Sequence, residues 1–412
     1  MQQFTGREYL KIDIANSFGL DKETWNTRLD WFAQHEKQIT QDPWDTLIQF
    51  AQQAEEPAQF MAGANAYRKA LLGMPTGYLC GLDATASGIQ LLSVLSGCEV
   101  SARQCNLVAT GQREDTYTNV HDAVNAALQT QTAFKRKDTK RATMTHFYGS
   151  TAEPRNVFGE DSPQLAAFYA VLDELLPGAN VLNRDLLNLW QADALSHDWT
   201  LPDGFDVRVK VMAKVEHSVE FLGSQYAVTE YVNQAQESGL SIGANVVHSI
   251  DGMVVREMGR RCSYDVATMD RIYDMLHTST SKKTSTLRDR DIALLRLLEL
   301  VDQTGFMSMV IVEYLDEGNL GHLSVLHRNQ LIQLIETLPE KPFKLLAIHD
   351  AFKFHANYGN DVRQQYINIL AELADSEVLS SIATQITGKH IRVNKCSNTL
   401  SALIRQSEYA LS

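Results

Sequence analysis

FKLLAIHDAFKFH, residues 343–355, reads as two short strands with His349-Asp350 at their junction. GYLCGLDATASGIQLLSVLSG, residues 77–97, repeats the arrangement: a short apolar run ends at Asp83, and Thr85 to Leu95 then reads as a helix stopped by Gly97. In both places an apolar strand, YLCGL or KLLAI, delivers an aspartate where the chain turns, so the carboxylate projects rigidly from the end of a buried strand. Helical patterns dominate the remainder. Residues 21–72 carry apolar faces built from Trp25, Leu29, Phe32, Leu47, Phe50 and Phe60, with breaks near Pro43 and Pro57. Two further helices are expected within 115–148, the second stopped by Gly149. Residues 160–245 read as mostly helical, with a turn at Pro202-Asp203-Gly204 and a strand-like alternation from Val207 to Val215. TSTSKKTSTL (278–287) is a polar low-complexity loop. A helix at 289–303, a strand-like run MVIVEYL at 309–315 and a helix at 323–338 follow it, and the chain alternates helix and loop from 360 onward. A small sheet inside a helical body is an α+β class.

The chain has 412 residues, is 44 % hydrophobic and carries a net charge of −13. That length can bury a large core divided among two or three lobes. The charge has the wrong sign for coating nucleic acid non-specifically, so any phosphate binding must rest on local basic clusters. Residues 135–141 form the densest one, with weaker candidates at Arg256, Arg260 and Arg261 and from Lys389 to Lys395. Five cysteines without a C-x-x-C pair suggest neither a zinc site nor a disulfide framework. The first residues lack a signal-peptide pattern and no apolar run approaches a membrane span, so a soluble cytoplasmic protein is expected.

Arg136, Lys140, Met144 and Tyr148 recur every fourth residue and are followed at once by Gly149. A helix sets them in one stripe about 18 Å long, with two cations at one end and an aromatic ring at the other. A nucleoside triphosphate has the same layout, polyanionic tail to flat base. Taken alone, the stripe reads equally as a solvated basic face, and either aspartate as a turn former or helix N-cap. Taken together, two converging carboxylates could hold Mg²⁺, a hard ion that accepts oxygen ligands. A metal pair roughly 3.5–4 Å apart stabilises both oxygens of a phosphoryl transfer.

These stretches, in this order, resemble the single-subunit DNA-dependent RNA polymerases of phages and mitochondria. DATASGIQ (83–90) is similar to that family's motif A, the Arg136-to-Gly149 pattern to its O-helix motif B, and His349-Asp350-Ala351-Phe352 to its motif C. NVVHSIDG (245–252) and YLKIDIAN (9–16) are weaker matches. The resemblance implies a right-hand fold: a palm with a small antiparallel sheet and mostly helical fingers, without the promoter-binding N-terminal domain and thumb. The palm and fingers core would take residues 1–77, motif A in the palm 78–102, the fingers 103–245, and the palm with motif C 246–412, with an insertion at about 253–340. The interval between motif B and His248, which holds a specificity loop in promoter-reading members, looks short.

The implied roles are specific. Asp83 and Asp350 hold two Mg²⁺ ions, with the Ala84 carbonyl as a third protein ligand. Arg136 and Lys140 grip the β and γ phosphates, and Lys140 protonates the leaving group. Tyr148 and His248 sense the ribose, Met144 packs on the nascent pair, His349 orients the primer end, and Lys11 approaches the triphosphate. DNA polymerases of the polymerase I type share this palm, and three positions speak against them. Gly88 stands where they usually carry a glutamate walling off the 2′-hydroxyl, Met144 where they carry an aromatic, and Ala351 where they carry glutamate. The resemblance further implies a split phage enzyme acting in an infected bacterial cell. A smaller subunit would supply the thumb and N-terminal elements, and a recruitment protein would lead the enzyme to the promoter. Its partners are a single-stranded DNA template, nascent RNA and ribonucleoside triphosphates. A catalytically inactive polymerase-like scaffold is the alternative from another class.

Overall fold

The computed structural model describes residues 1–128, 134–278 and 287–412. The low-complexity segment therefore lies, from 279 to 286, outside the described residues. Four helices open the chain: α1 (Gly6–Ala15), α2 (Trp25–Gln41), α3 (Trp44–Ala51) and α4 (Pro57–Leu71). Pro43 precedes α3 and Pro57 opens α4, where a missing N–H costs nothing. Strand β1 (Leu79–Asp83) leads into α5 (Ser87–Ser96), which Gly97 ends in the left-handed region at φ +66°. Then come α6 (Glu99–Gln104), α7 (Thr116–Leu128), α8 (Arg136–His146), α9 (Ala152–Phe158), α10 (Pro163–Leu175) and α11 (Pro177–Leu187).

The next stretch corrects the helical expectation. Residues 196–233 form β2 (Ser196–Thr200), β3 (Asp206–Lys210), β4 (Met212–Phe221) and β5 (Ser224–Asn233). β2 and β3 pair across the expected turn at Pro202-Asp203-Gly204, and β4 with β5 makes a long hairpin. Val207 to Val215 is thus two strands meeting at Val211. The hairpin escaped notice because nearly all of it faces solvent, Phe221, Leu222, Tyr226 and Tyr231 included. Without a buried face there is no apolar alternation to read. It also fills the interval that looked too short for a loop.

Helix α12 (Ser241–Cys262) runs unbroken through NVVHSIDG and is followed by α13 (Val266–Thr278), α14 (Asp289–Thr304) and α15 (Val325–Glu336). MVIVEYL is a 3₁₀ turn over Met309–Tyr314 rather than a strand. Met309, Val310, Ile311 and Val312 are all buried, so the run has no exposed face that would give a strand period. The Ser308 hydroxyl accepts from the Val310 amide, while the Glu257 carboxylate accepts from the Met309 amide. These helices carry a second apolar core, from Met269 to Leu334, separate from the main one. It begins later than the expected insertion because α12 belongs to the main core. Strands β6 (Leu346–Ile348) and β7 (Ala351–His355), then α16 (Gly359–Asp375), α17 (Val378–Thr387) and α18 (Leu400–Ile404), complete the chain.

β1, β7 and β6 make one antiparallel three-stranded sheet, in that order. Cys80, Leu82, Phe352 and Phe354 are buried on it, while α5 and α16 pack together nearby through the main core. The architecture is mixed helix and small antiparallel sheet. Among the described residues, no single helix is long and apolar enough to cross a membrane.

Candidate active site

The sheet brings the two aspartates together. Asp83 ends β1 and pairs with Ala351, the first residue of β7, so Asp350 is its immediate neighbour across the ladder. The Ala84 amide donates to the Asp350 carbonyl at 3.2 Å. β6 and β7 are joined by His349-Asp350 alone, since Ile348 pairs with Ala351. Two non-glycine residues beside the acids, Ala86 (φ +83°) and His349 (φ +56°), occupy the left-handed region. Such backbone costs about 1–3 kcal/mol per residue and persists only where the surroundings enforce it.

The enforcement is visible in buried polar groups. Asp13, from YLKIDIAN, accepts from the Gly81 amide at 2.7 Å and from the Tyr78 hydroxyl at 2.5 Å, pinning β1 just ahead of Asp83. Burial raises the Asp13 pKa, and these bonds oppose the rise. Gln90, fully buried, donates to Thr85 Oγ1 and to the carbonyls of Cys105 and Ala410, fixing the turn after Asp83.

The turn that follows Asp83, Ala84-Thr85-Ala86, lines a small polar cleft together with Arg136 and Lys140. Burial and then the Asp350 charge push the Asp83 pKa up to about 6, while Lys140 pulls the other way. Among the described residues, neither Asp83 nor Asp350 has a side-chain ion pair within 4 Å. Their oxygens therefore repel one another and remain available, which is the donor set a hard divalent cation suits. No group of three or more His, Cys, Asp or Glu side chains is arranged for a metal among the described residues. A cation here would rest on these two carboxylates, backbone oxygen and water. The Ala84 carbonyl already accepts from the Ala86 amide at 2.9 Å and keeps one lone pair.

α8 buries Thr139, Ala142, Thr143 and His146 and turns the opposite stripe outward. Arg136 pairs with Asp115 and donates to Thr118 Oγ1 at 2.7 Å. Lys140 lies 5.2 Å from the centre of the Tyr117 ring, a cation–π contact. Met144 is 39 % exposed. The helix proper ends at His146, two residues short of Tyr148, and Gly149 (φ +81°) closes it as expected. A Cβ on Gly149 would stand 2.8 Å from the Leu240 carbonyl, so only glycine lets α8 approach α12 this closely.

Tyr148 meets the other sugar-sensing candidates. Its ring lies 4.5 Å from that of His248. A Cβ at Gly88 would come within 3.0 Å of its hydroxyl, so that glycine makes the room the ring occupies. Burial raises the Tyr148 pKa, and burial lowers that of His248. Lys11 is not brought in: α1 aims its ammonium at Glu36, 3.6 Å away, and over the rings of Phe32 and Tyr67. An apolar, aromatic wall on α2 and α4 holds the lysine stem there.

Sequence reading missed several members. Asp251, three residues after His248, is half-buried within the field of Asp350; desolvation and then that charge raise its pKa to about 6, while His349 and Ser87 oppose the shift. Its place in NVVHSIDG was a usable signal. Asp115, Tyr117 and Arg113 also line the cleft, from a loop and helix start with no motif of their own. Several cations of the weaker basic clusters are held by protein partners instead. Arg256 and Arg260 both bind Asp203, Arg261 is shared by Glu257 and Glu372, and Lys395 donates to the carbonyls of Ala374 and Ser376.

Comparison with known proteins identifies the class. Residues 3–155 match the DNA-dependent RNA polymerase family. A DNA-directed RNA polymerase of Pseudomonas phage phiKMV is 26 % identical across 73 % of this chain and 44 % of its own length. The mitochondrial DNA-directed RNA polymerase of Neurospora crassa is 30 % identical over 36 % of this chain and 12 % of its own. Over these stretches the chain is similar to DNA-directed RNA polymerases of a phage and of a mitochondrion. It spans less than half the length of these relatives.

Proposed function

We propose that this chain is the catalytic part of a polymerase that makes RNA from ribonucleoside triphosphates on a DNA template. One observation carries the reading: the β1–β7 ladder sets Asp83 and Asp350, far apart in the chain, side by side, with the Ala84 amide donating to the Asp350 carbonyl and the Lys140 charge acting on Asp83. On this reading the sheet is the palm and α7 to α11 belong to the fingers. Asp83, Asp350 and the Ala84 carbonyl would hold two Mg²⁺ ions, which when bound neutralise phosphate charge and activate the attacking hydroxyl. Arg136 and Lys140 would bind the β and γ phosphates by charge-assisted hydrogen bonds. Lys140 is also placed to give a proton to the leaving pyrophosphate. His349 would orient the primer terminus, and Met144 would pack on the new base pair.

Gly88 favours ribonucleotides over the deoxynucleotide alternative, because it projects no carboxylate that would wall off a 2′-hydroxyl and lets the Tyr148 hydroxyl approach instead. Two aspartates that have no salt-bridge partner among the described residues argue against an inactive scaffold, since an uncompensated acid pair costs stability and serves no packing role. The partners on this reading are a single-stranded DNA template, nascent RNA, a smaller subunit carrying the thumb and N-terminal elements, and a promoter-recruitment protein. The test is run-off synthesis on single-stranded DNA with ribo- or deoxynucleotides, with and without a co-expressed smaller subunit. Asp350→Asn should reduce ribonucleotide addition at least 1,000-fold, on the order of preorganised charge stabilisation, with template affinity unchanged. Appreciable residual synthesis by that variant would refute the assignment.

A further inference from the structure

Arg113 lines the same cleft as Arg136 and Lys140, from the loop between α6 and α7. The loop is held rigidly. Asn106, itself left-handed at φ +62°, receives the Glu114 amide on Oδ1 at 2.7 Å and donates from Nδ2 to the Glu114 carbonyl at 2.8 Å. The same Nδ2 lies 3.1 Å from Thr85 Oγ1, tying the loop to the turn after Asp83. Arg113 Nε donates to Ser412 Oγ at 3.1 Å, and the Ser412 amide donates to the Asp83 carbonyl at 3.0 Å. The guanidinium is thereby placed within one residue's reach of the acid pair.

It is also uncommitted. Among the described residues Arg113 has no carboxylate within ion-pair distance, and its bond to Ser412 uses only one of its five N–H donors. Arg136, by contrast, spends its charge on Asp115. Asp21, Glu23 and Asp115 act on Arg113 only through their field. A half-buried cation with free donors facing a polar cleft is matched to an anion.

We propose that Arg113 is a further triphosphate-binding residue, gripping the β and γ phosphates of the incoming nucleotide together with Lys140 in the cleft that both line. The inference rests on the polymerase reading of the cleft. A planar guanidinium suits two phosphate oxygens at once, which the lysine cannot match. The test is equilibrium binding of GTP, GDP and GMP, with Mg²⁺, to the full chain as wild type, Arg113→Gln, Arg113→Lys and Lys140→Ala, with thermal melts of each. Arg113→Gln should weaken GTP about tenfold, GDP less and GMP under twofold, and Arg113→Lys should recover part of the loss. Equal weakening of all three nucleotides, or none, would overturn the role if Lys140→Ala still shows a phosphate-dependent loss, and the polymerase reading would then survive. If Lys140→Ala shows none either, the reading of the cleft fails and the Arg113 role fails with it.

Discussion

Residues 135–141 and 256–261 are both dense in basic side chains, and their cations end in different surroundings. On α8 the stripe faces a cleft, and Lys140 sits over the Tyr117 ring with no carboxylate within ion-pair distance among the described residues. At the end of α12, Arg261 is fully buried and binds Glu372 through both terminal nitrogens, at 2.8 and 2.6 Å, and Glu257 through Nε at 3.3 Å. Glu257 in turn accepts from Ser308 and Met309, so this network ties the main core to the second one. Charge density along a chain therefore says little about charge available to a ligand. What decides is whether folding supplies carboxylates to the same cations.

Substitution should separate the two regions. Arg261→Ala removes the buried cation shared by Glu257 and Glu372, leaving Glu257 only its Arg260 pair, and should cost about 3–5 kcal/mol of stability, read by denaturant unfolding. Lys140→Ala should leave stability within about 0.5 kcal/mol yet slow nucleotide addition at least 100-fold at saturating substrate. If instead Lys140→Ala unfolds the chain and Arg261→Ala abolishes only activity, the contrast collapses.

The acid pair gives a smaller, pH-dependent effect. Asp83 has a folded pKa of about 6, above its ordinary 3.8, so the folded chain holds this proton more tightly than the unfolded one. The stability from the neutral form is complete below about pH 4 and is lost as pH rises through about 6. In metal-free buffer, Asp83→Asn should therefore melt above wild type at about pH 8 and level with it near pH 4. Adding Mg²⁺ should raise the wild-type melting temperature at the higher pH and leave the variant unmoved. A wild-type melt indifferent to both would mean the carboxylates do not repel.

The finest contrast concerns the far end of the stripe. Tyr148→Phe removes one hydroxyl beside Gly88 and His248 and should relax discrimination against deoxynucleotides roughly tenfold, at little cost in overall rate. Unchanged selectivity in a competition assay would assign the sugar check elsewhere.

Local chemistry made much of this legible. Strand ends at Asp83 and Ile348, the glycine stops at Gly97 and Gly149, and the proline breaks at 43 and 57 all follow from rules spanning a few residues. The misreadings share one cause. MVIVEYL is buried on all sides and the β4–β5 hairpin on almost none, so neither shows the half-covered face that periodicity detects. Lys11 sits in a recognisable segment, but its direction depends on aromatic rings contributed by α2 and α4.

Sequence by itself determined which residue types stand at strand ends and along the α8 face, because hydrogen-bond periodicity and turn chemistry act over short spans. Tertiary structure alone decided which charges are spent and which are free. Asp251 in the field of Asp350, Arg113 in one cleft with Lys140, and Arg261 on Glu372 join segments remote in the chain. Coulombic energy depends on distance through space, and no local pattern records it.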